Sequence, residues 1–301
     1  MEDTFEWPKW AFQRGDAAMT PLRQAMIQTM RQHGSSPQTQ KSYLYIVADL
    51  ARYYRRSPDQ LEVGDLQTYF NYLVQERSLA PASCRLYLHG IRFLYLQVLH
   101  WADFDVNLVL PKRPQRIPEL LTRQDVARIV GATKNPKHRA LLLITYGCGL
   151  RVSEVVSLQV KNIDGERHLL HIHQGKGGKD RMVPLTDVLL DVLRAYWCLG
   201  RPVLWLFPSE VLVGQHLTAT TAQKVYRHAK RLSGVQRRGG IHALRHAYAT
   251  HQLEHGVPLN ELQKYLGHSD LRTTERYLHW LPGISSQNRS PADLIADLGG
   301  A

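Results

Sequence analysis

Apolar residues recur every three to four positions through residues 20–106 and almost nowhere alternate with period two, so this stretch predicts helices rather than strands. Four are expected. PLRQAMIQTMRQHG runs to Gly34, and SPQTQKSYLYIVADLARYYRR opens behind Ser36 as a cap, with Pro37 at the first helical position. VGDLQTYFNYLVQER follows, and PASCRLYLHGIRFLYLQVLH closes the set. Each carries one apolar stripe. The polar sides hold Lys41, Tyr43, Arg52, Arg55, Arg85 and Arg92, a mixture suited to phosphate and groove contact that reads equally as solvated helix surface.

Between residues 107 and 121 the pattern breaks. NLVLPKRPQRIPEL contains three prolines, which forbid regular helix and leave Lys112, Arg113 and Arg116 on an extended, basic linker. Thr122 with Asp125 three residues on predicts a capping box that opens a second domain, residues 122–282. Helical periodicity returns in TRQDVARIVGAT, PKHRALLLITYGCG and GLRVSEVVSLQ. HLLHIHQG and DRMVPL then face each other across KGGK as a β-hairpin. Helices resume in TDVLLDVLRAYWC, TATTAQKVYRHAKRL, IHALRHAYATH, LNELQKYLGHS and DLRTTERYLHW, the last behind Ser269 as its cap. The expected fold is mainly α with a small β-sheet. Residues 1–19 form an N-terminal extension, and residues 283–301 a tail whose Leu294, Ile295 and Leu298 make an apolar trio fit to dock on a neighbouring protomer.

A chain of 301 residues with 44% apolar content can build two cores. Its 38 Lys and Arg against 26 Asp and Glu, a net charge of +12, call for a polyanionic partner, nucleic acid before a membrane surface. No stretch approaches the ~20 apolar residues that span a bilayer, and MEDTFEWPKW is unlike a secretory leader, so a cytoplasmic protein is expected. Cys84, Cys148 and Cys198 are too widely spaced for a thiolate zinc site and odd in number, and read as reduced, mostly buried thiols.

Candidate chemistry concentrates in the second domain. In HALRH, His242 and His246 have the i, i+4 spacing of a metal pair, but the general-base Glu of the HExxH arrangement is missing and Arg245 would repel a cation. A phosphate fits better. His242 and Arg245 share a face, Leu244, Ala247, Tyr248 and His251 form the apolar stripe, and His246 falls between, with packing its more common fate. Arg151 stands where Gly147 and Gly149 end one helix and another begins, a place for an anion, with Glu154 either orienting it or forming an exposed ion pair. Lys176 lies in the hairpin turn, free to swing over a bound strand, while Lys179 begins the returning strand.

Taken in order, GLRVSE, GKGGKDRMVPL, HALRHAYAT, LGH and TTERYLH resemble the motifs of the tyrosine recombinases, the phage integrase family, over residues 20 to 281. The resemblance implies a helical-bundle core-binding domain (20–106) and an α/β catalytic domain closing as a clamp around duplex DNA, four protomers in synapsis and no cofactor. Simple Xer-like or transposon- and integron-type recombinases are the nearest kinds. It also implies a catalytic set of Arg151, Lys176, His242, Arg245, His268 and Tyr277, with Tyr277 as nucleophile ahead of its neighbour Tyr265, and the first lysine of KGGK as general acid. A type IB topoisomerase would share this chemistry without a synapse, and a DNA-binding protein that had lost the chemistry would keep only the clamp. The job, integration, excision, transposition or dimer resolution, is shared ground among such enzymes.

Overall fold

The computed structural model describes residues 20–101, 119–173 and 180–280, with the backbone alone of His279. Lys112, Arg113, Lys176, Lys179 and the tail trio lie outside the described residues. The chain divides into two compact units, each with its own core.

Among the described residues the first unit has four α-helices, α1 (Pro21–Gln32), α2 (Pro37–Tyr54), α3 (Val63–Asn71) and α4 (Pro81–Arg92), with a 3-10 turn Pro58–Gln60 between α2 and α3. Ser36 caps α2 by accepting from Thr39 N, as read from the sequence, and Pro37 opens it. α3 and α4 each widen into a π-helical end, Tyr72–Glu76 and Phe93–Val98. Gly90 lets α4 approach α2 closely, since a Cβ there would stand 3.1 Å from Ile46. Between them lies Asp49, which is buried and accepts from Tyr69 Oη (3.0 Å), Tyr87 Oη (2.9 Å), Arg77 (2.6 Å) and Arg52 (3.1 Å). Lys41 and Arg52 are exposed on one side of α2, as are Arg85 and Arg92 on α4, their spacings of three and two turns keeping them in line. Tyr43 differs: its ring leans on Phe93 and is half buried.

In the second unit, α5 (Arg123–Gly131) starts at a capping box made by Thr122 and Asp125, and α6 (Pro136–Gly147) at Asn135. α7 (Val152–Val156) is a single short turn where the sequence predicted a longer helix. Three antiparallel strands follow in the order β1 (Ile163–Asp164), β2 (Leu169–Ile172), β3 (Arg181–Pro184). The expected hairpin is β2 with β3, pairing Leu170 with Val183, both fully buried. β1 is too short to leave a periodic signal. α8 (Asp187–Gly200), α9 (Ala219–Ser233), α10 (His242–Glu254), α11 (Leu259–Leu266) and α12 (Leu271–Glu275) complete the unit. α12 is capped by Asp270, whose carboxylate accepts from Arg272 N, not by Ser269; the chain turns one residue later than the periodicity implied.

α10 packs against α5, α6 and α11, and from Ala243 to His251 every residue but the partly buried His246 is buried. Its amphipathic reading therefore held for Leu244, Ala247, Tyr248 and His251 but not for Arg245, which is interior at 1% exposure. Cys84 and Cys148 are buried and Cys198 is exposed. Among the described residues no helix is long and apolar enough to cross a membrane.

Removing the Asp49 carboxylate would strand two buried phenols and an arginine. Asp49→Ala is expected to destabilise the first unit by about 3–5 kcal/mol in urea unfolding, and Asp49→Asn by less, because its amide oxygen still accepts.

Candidate active site

The site is built around one carboxylate. Glu154, at the third position of α7, is buried and receives Arg181 through both terminal nitrogens (2.9 and 2.8 Å), the backbone N–H of Arg151 (2.8 Å) and the Arg151 guanidinium (2.7 Å). A third guanidinium, that of Arg245, stands 3.9 Å away. Burial alone would raise the carboxyl, but Arg181 and then Arg151 overcome it and hold the pKa at about 2. The sequence left an exposed ion pair open as the simpler reading of Glu154; the buried fork with Arg181 replaces it.

Two glycines make this convergence possible. Gly149, at φ +59°, turns the chain out of α6, and a Cβ there would meet the Tyr248 ring at 2.4 Å. Gly267, at φ +63°, ends α11 with its own N–H bonded to Lys264 O and that of His268 to Gln263 O, the paired closure of a helix C-terminus. Its missing Cβ also leaves room for Arg181, whose Cδ would be 2.9 Å away. The turn delivers His268 into the cluster and presents the Gly267 carbonyl to Arg151 (3.2 Å).

Arg245 is anchored by the carbonyls of Gly149 and Leu266, each at 2.7 Å, and by His268 Nε2 at 3.0 Å. A guanidinium only donates, so Nε2 of His268 accepts and its Nδ1 carries the proton, donated to Thr274 Oγ1 at 2.9 Å. Burial, followed by the charge of Arg151, lowers Arg245 to about 10, which leaves it cationic at neutral pH. Burial and the nearby arginines lower His268 to about 4 and leave it neutral.

Tyr277 follows α12 and is 4% exposed. Its hydroxyl lies 3.1 Å from His246 Nδ1. Burial raises the phenol's pKa, opposed by Arg245 and more weakly by Arg151 and Arg276. Trp280 closes the far side edge-on at 5.1 Å. His242, at the exposed start of α10, touches this group through the ring of His246, 4.8 Å between centroids, and the surrounding protein with the charges of Arg245 and Arg151 lowers its pKa.

Thus Arg151, Arg245, His268 and Tyr277 meet in one cluster, with His242 at its rim. Sequence reasoning passed over Arg181, although it shares a strand face with buried Val183, and an arginine on an inward face needs a buried partner. It also set His246 aside as packing. Among the described residues no three His, Cys, Asp or Glu side chains are grouped to hold a metal.

Comparison with known proteins gives this geometry a lineage. Residues 119–282 match the model of the Phage integrase family, and residues 22–103 that of its N-terminal SAM-like domain. The chain belongs to the phage integrase family, the tyrosine recombinases, which cleave and rejoin DNA strands in site-specific recombination. It is 38% identical over 285 residues to a putative integrase/recombinase, y4qK, of Sinorhizobium fredii, covering 94% of this chain and 92% of that one. It is 36% identical over 231 residues to the tyrosine recombinase XerD of Proteus mirabilis, covering 71% and 73%. In fold it is similar to XerH recombinase bound to difH substrate before cleavage (TM-score 0.63, 19% identity, 93% and 85% covered). The Tn1549 transposon integrase in complex with circular intermediate DNA is similar too (TM-score 0.64, 17% identity, 92% and 98% covered).

Because the Glu154 carboxyl is held low, it favours the folded state at all pH above its ordinary value and loses that advantage as pH falls from 4.5 toward 2. Glu154→Gln is expected to cost on the order of 3 kcal/mol at pH 7 and to remove that share of the acid sensitivity, read from denaturant unfolding across pH 2–7.

Proposed function

We propose that the chain is a site-specific recombinase that closes its two units around double-stranded DNA, cuts with Tyr277, and exchanges strands through a Holliday junction in a homotetramer. It would be monomeric or dimeric free in solution, and act in the cytoplasm. The observation that supports this most is the gathering of Arg151, Arg245 and His268 beside Tyr277, whose ring lies parallel to that of His268 at 6.3 Å between centroids and whose phenol feels the charge of both arginines. The DNA bound by XerH and by the Tn1549 integrase supports the partner. A SAM-like N-terminal unit favours a recombinase over a type IB topoisomerase.

The chemistry follows from charge. A phenol of pKa about 10 is only on the order of 0.1% ionised at pH 7, so attack on phosphorus needs a cationic field or a base. Three guanidiniums face a single carboxylate here, leaving positive charge in excess. Arg151 and Arg245 bind the nonbridging oxygens as negative charge grows on the five-coordinate phosphorus, a role worth several kcal/mol each by analogy with oxyanion donors. His242, at the open rim, hydrogen-bonds the phosphate. His268, with both ring nitrogens engaged, acts by holding Arg245. Lys176 protonates the departing 5′ oxygen. The 3′-phosphotyrosyl bond stores the energy of the broken phosphodiester, so resealing needs no ATP. Lys41, Arg52, Arg85 and Arg92, with Lys112 and Arg113, would follow the DNA backbone.

Tyr277→Phe is expected to bind DNA with near wild-type affinity, because the interface is dominated by charge, yet to form no covalent adduct. Adduct from that variant would remove Tyr277 from its role. Lys176→Ala should cleave ordinary DNA more slowly by a factor on the order of 10² to 10⁴. With sulfur at the bridging 5′ position, whose departure needs no proton, it should approach wild-type speed. Rescue of Lys179→Ala instead would move the acid to the second lysine.

A further inference from the structure

We infer that His246 is the group that takes the phenolic proton from Tyr277 as the phosphotyrosyl bond forms. This rests on Tyr277 being the nucleophile and adds a residue to the chemistry proposed above.

The surroundings set the direction. The positive charge of Arg245, and more weakly of Arg151, works against burial to favour negative charge on the Tyr277 oxygen, so the phenol's O–H is the proton to be given. His246 Nδ1, at 3.1 Å, is the recipient, which puts the ring's remaining proton on Nε2. The other histidines are less able. His268 Nε2 accepts from Arg245 and its Nδ1 donates to Thr274, so neither nitrogen is open to a proton from Tyr277. His242 faces His246 edge-on and is exposed, one ring further from the phenol.

Several groups surround His246: His242 and Arg245 from its own helix, Arg276, Tyr277 and Trp280 beyond α12, and His268 from the turn after α11. Burial first, then His242, Arg245 and Arg276, lower it to about 4, so it is the free base throughout the neutral range. A base this weak suits a proton that moves late. Once a phosphodiester is bound, its negative charge beside the same arginines raises the proton affinity of the imidazole. In the step itself the Tyr277 Oη–P bond forms, the P–O5′ bond breaks, the phenolic proton passes to His246 Nδ1, and the leaving oxygen takes its proton from the general acid. Resealing runs the same path backward, with protonated His246 returning its proton to the leaving phenolate.

Two measurements test this. The first needs no DNA: ¹⁵N-histidine NMR at pH 7, with His246 assigned by the signal lost in His246→Asn. It should show Nδ1 unprotonated, Nε2 protonated, and an Nδ1 shift that changes in Tyr277→Phe. A protonated Nδ1 would overturn the inference, because it could only donate to the phenol. The second follows covalent adduct on nicked duplexes tiled across the DNA flanking the gene. His246→Asn places an amide oxygen near the position of Nδ1 and accepts the hydrogen bond but no proton. Its adduct rate at pH 7 should fall on the order of 10²-fold. Between pH 6 and 8.5 that rate should climb about tenfold per unit with the phenolate fraction, while the wild-type rate stays flat. A wild-type rate and a flat profile in His246→Asn would overturn it. Adduct formed by Tyr277→Phe in the same assay would instead indict the nucleophile, so the two failures are distinguishable.

Discussion

The placement of Glu154 among Arg151, Arg181 and Arg245 is the interaction on which the second unit depends. Three guanidiniums cannot gather in a protein interior without an anion, since each pair repels strongly where water is excluded. One carboxylate is enough to hold them and too little to neutralise them. Arg181 spends both terminal nitrogens on Glu154 and its Nε on the Tyr265 carbonyl, so its task is to hold the carboxylate. Two of Arg245's donors go to the carbonyls of Gly149 and Leu266, which are dipoles and cancel no net charge. These bonds hold the charges in place without a substrate, and preorganised positive charge of this kind stabilises a transition state without reorganising at the moment of reaction.

Desolvation acts on the cluster's two kinds of base unequally, and that divides their labour. Arg245 is lowered to about 10 and remains a cation. His246 and His268 are lowered to about 4 and become neutral acceptors. The same burial therefore produces charge carriers from one residue type and hydrogen-bond acceptors from the other. A histidine beside a fixed guanidinium also has its tautomer set for it, as His268 does by accepting from Arg245 and donating to Thr274.

What could be read in the sequence was what local physics decides. The caps at Ser36 and Thr122, the αL glycine at 34, the first-unit helices and the β2–β3 hairpin all follow from short-range pattern. The residues that cluster, Arg151, Arg245, His268 and Tyr277, were legible as motifs. Misreadings arose where tertiary context overrides period. α10 is central, so a polar residue on it need not face water, and Arg245 does not. Arg181 looked like an ordinary polar strand residue, because its partner Glu154 is 27 positions away and only the fold joins them. Strand β1, two residues long, has no period to detect.

The first unit uses a buried carboxylate too, and the contrast explains why only one of the two gathers an excess of positive charge. Asp49 draws two phenols along with its two arginines, and one of those, Arg52, is mostly in solvent. Neutral donors satisfy its lone pairs without adding charge, and burial with Asp49's own negative charge pushes both phenols up, so they stay protonated and bonded. Such a network ties helices together and has no appetite for a further anion. Around Glu154 the side-chain donors are guanidiniums, and the phenol of Tyr277 bonds not to the carboxylate but to a neutral histidine, with the charge of Arg245 beside it. A tyrosine held by a carboxylate is pinned as a phenol, whereas one held by a cation and a proton acceptor is stabilised as it loses its proton. Which partner receives the hydroxyl is what separates Tyr69 and Tyr87 from Tyr277.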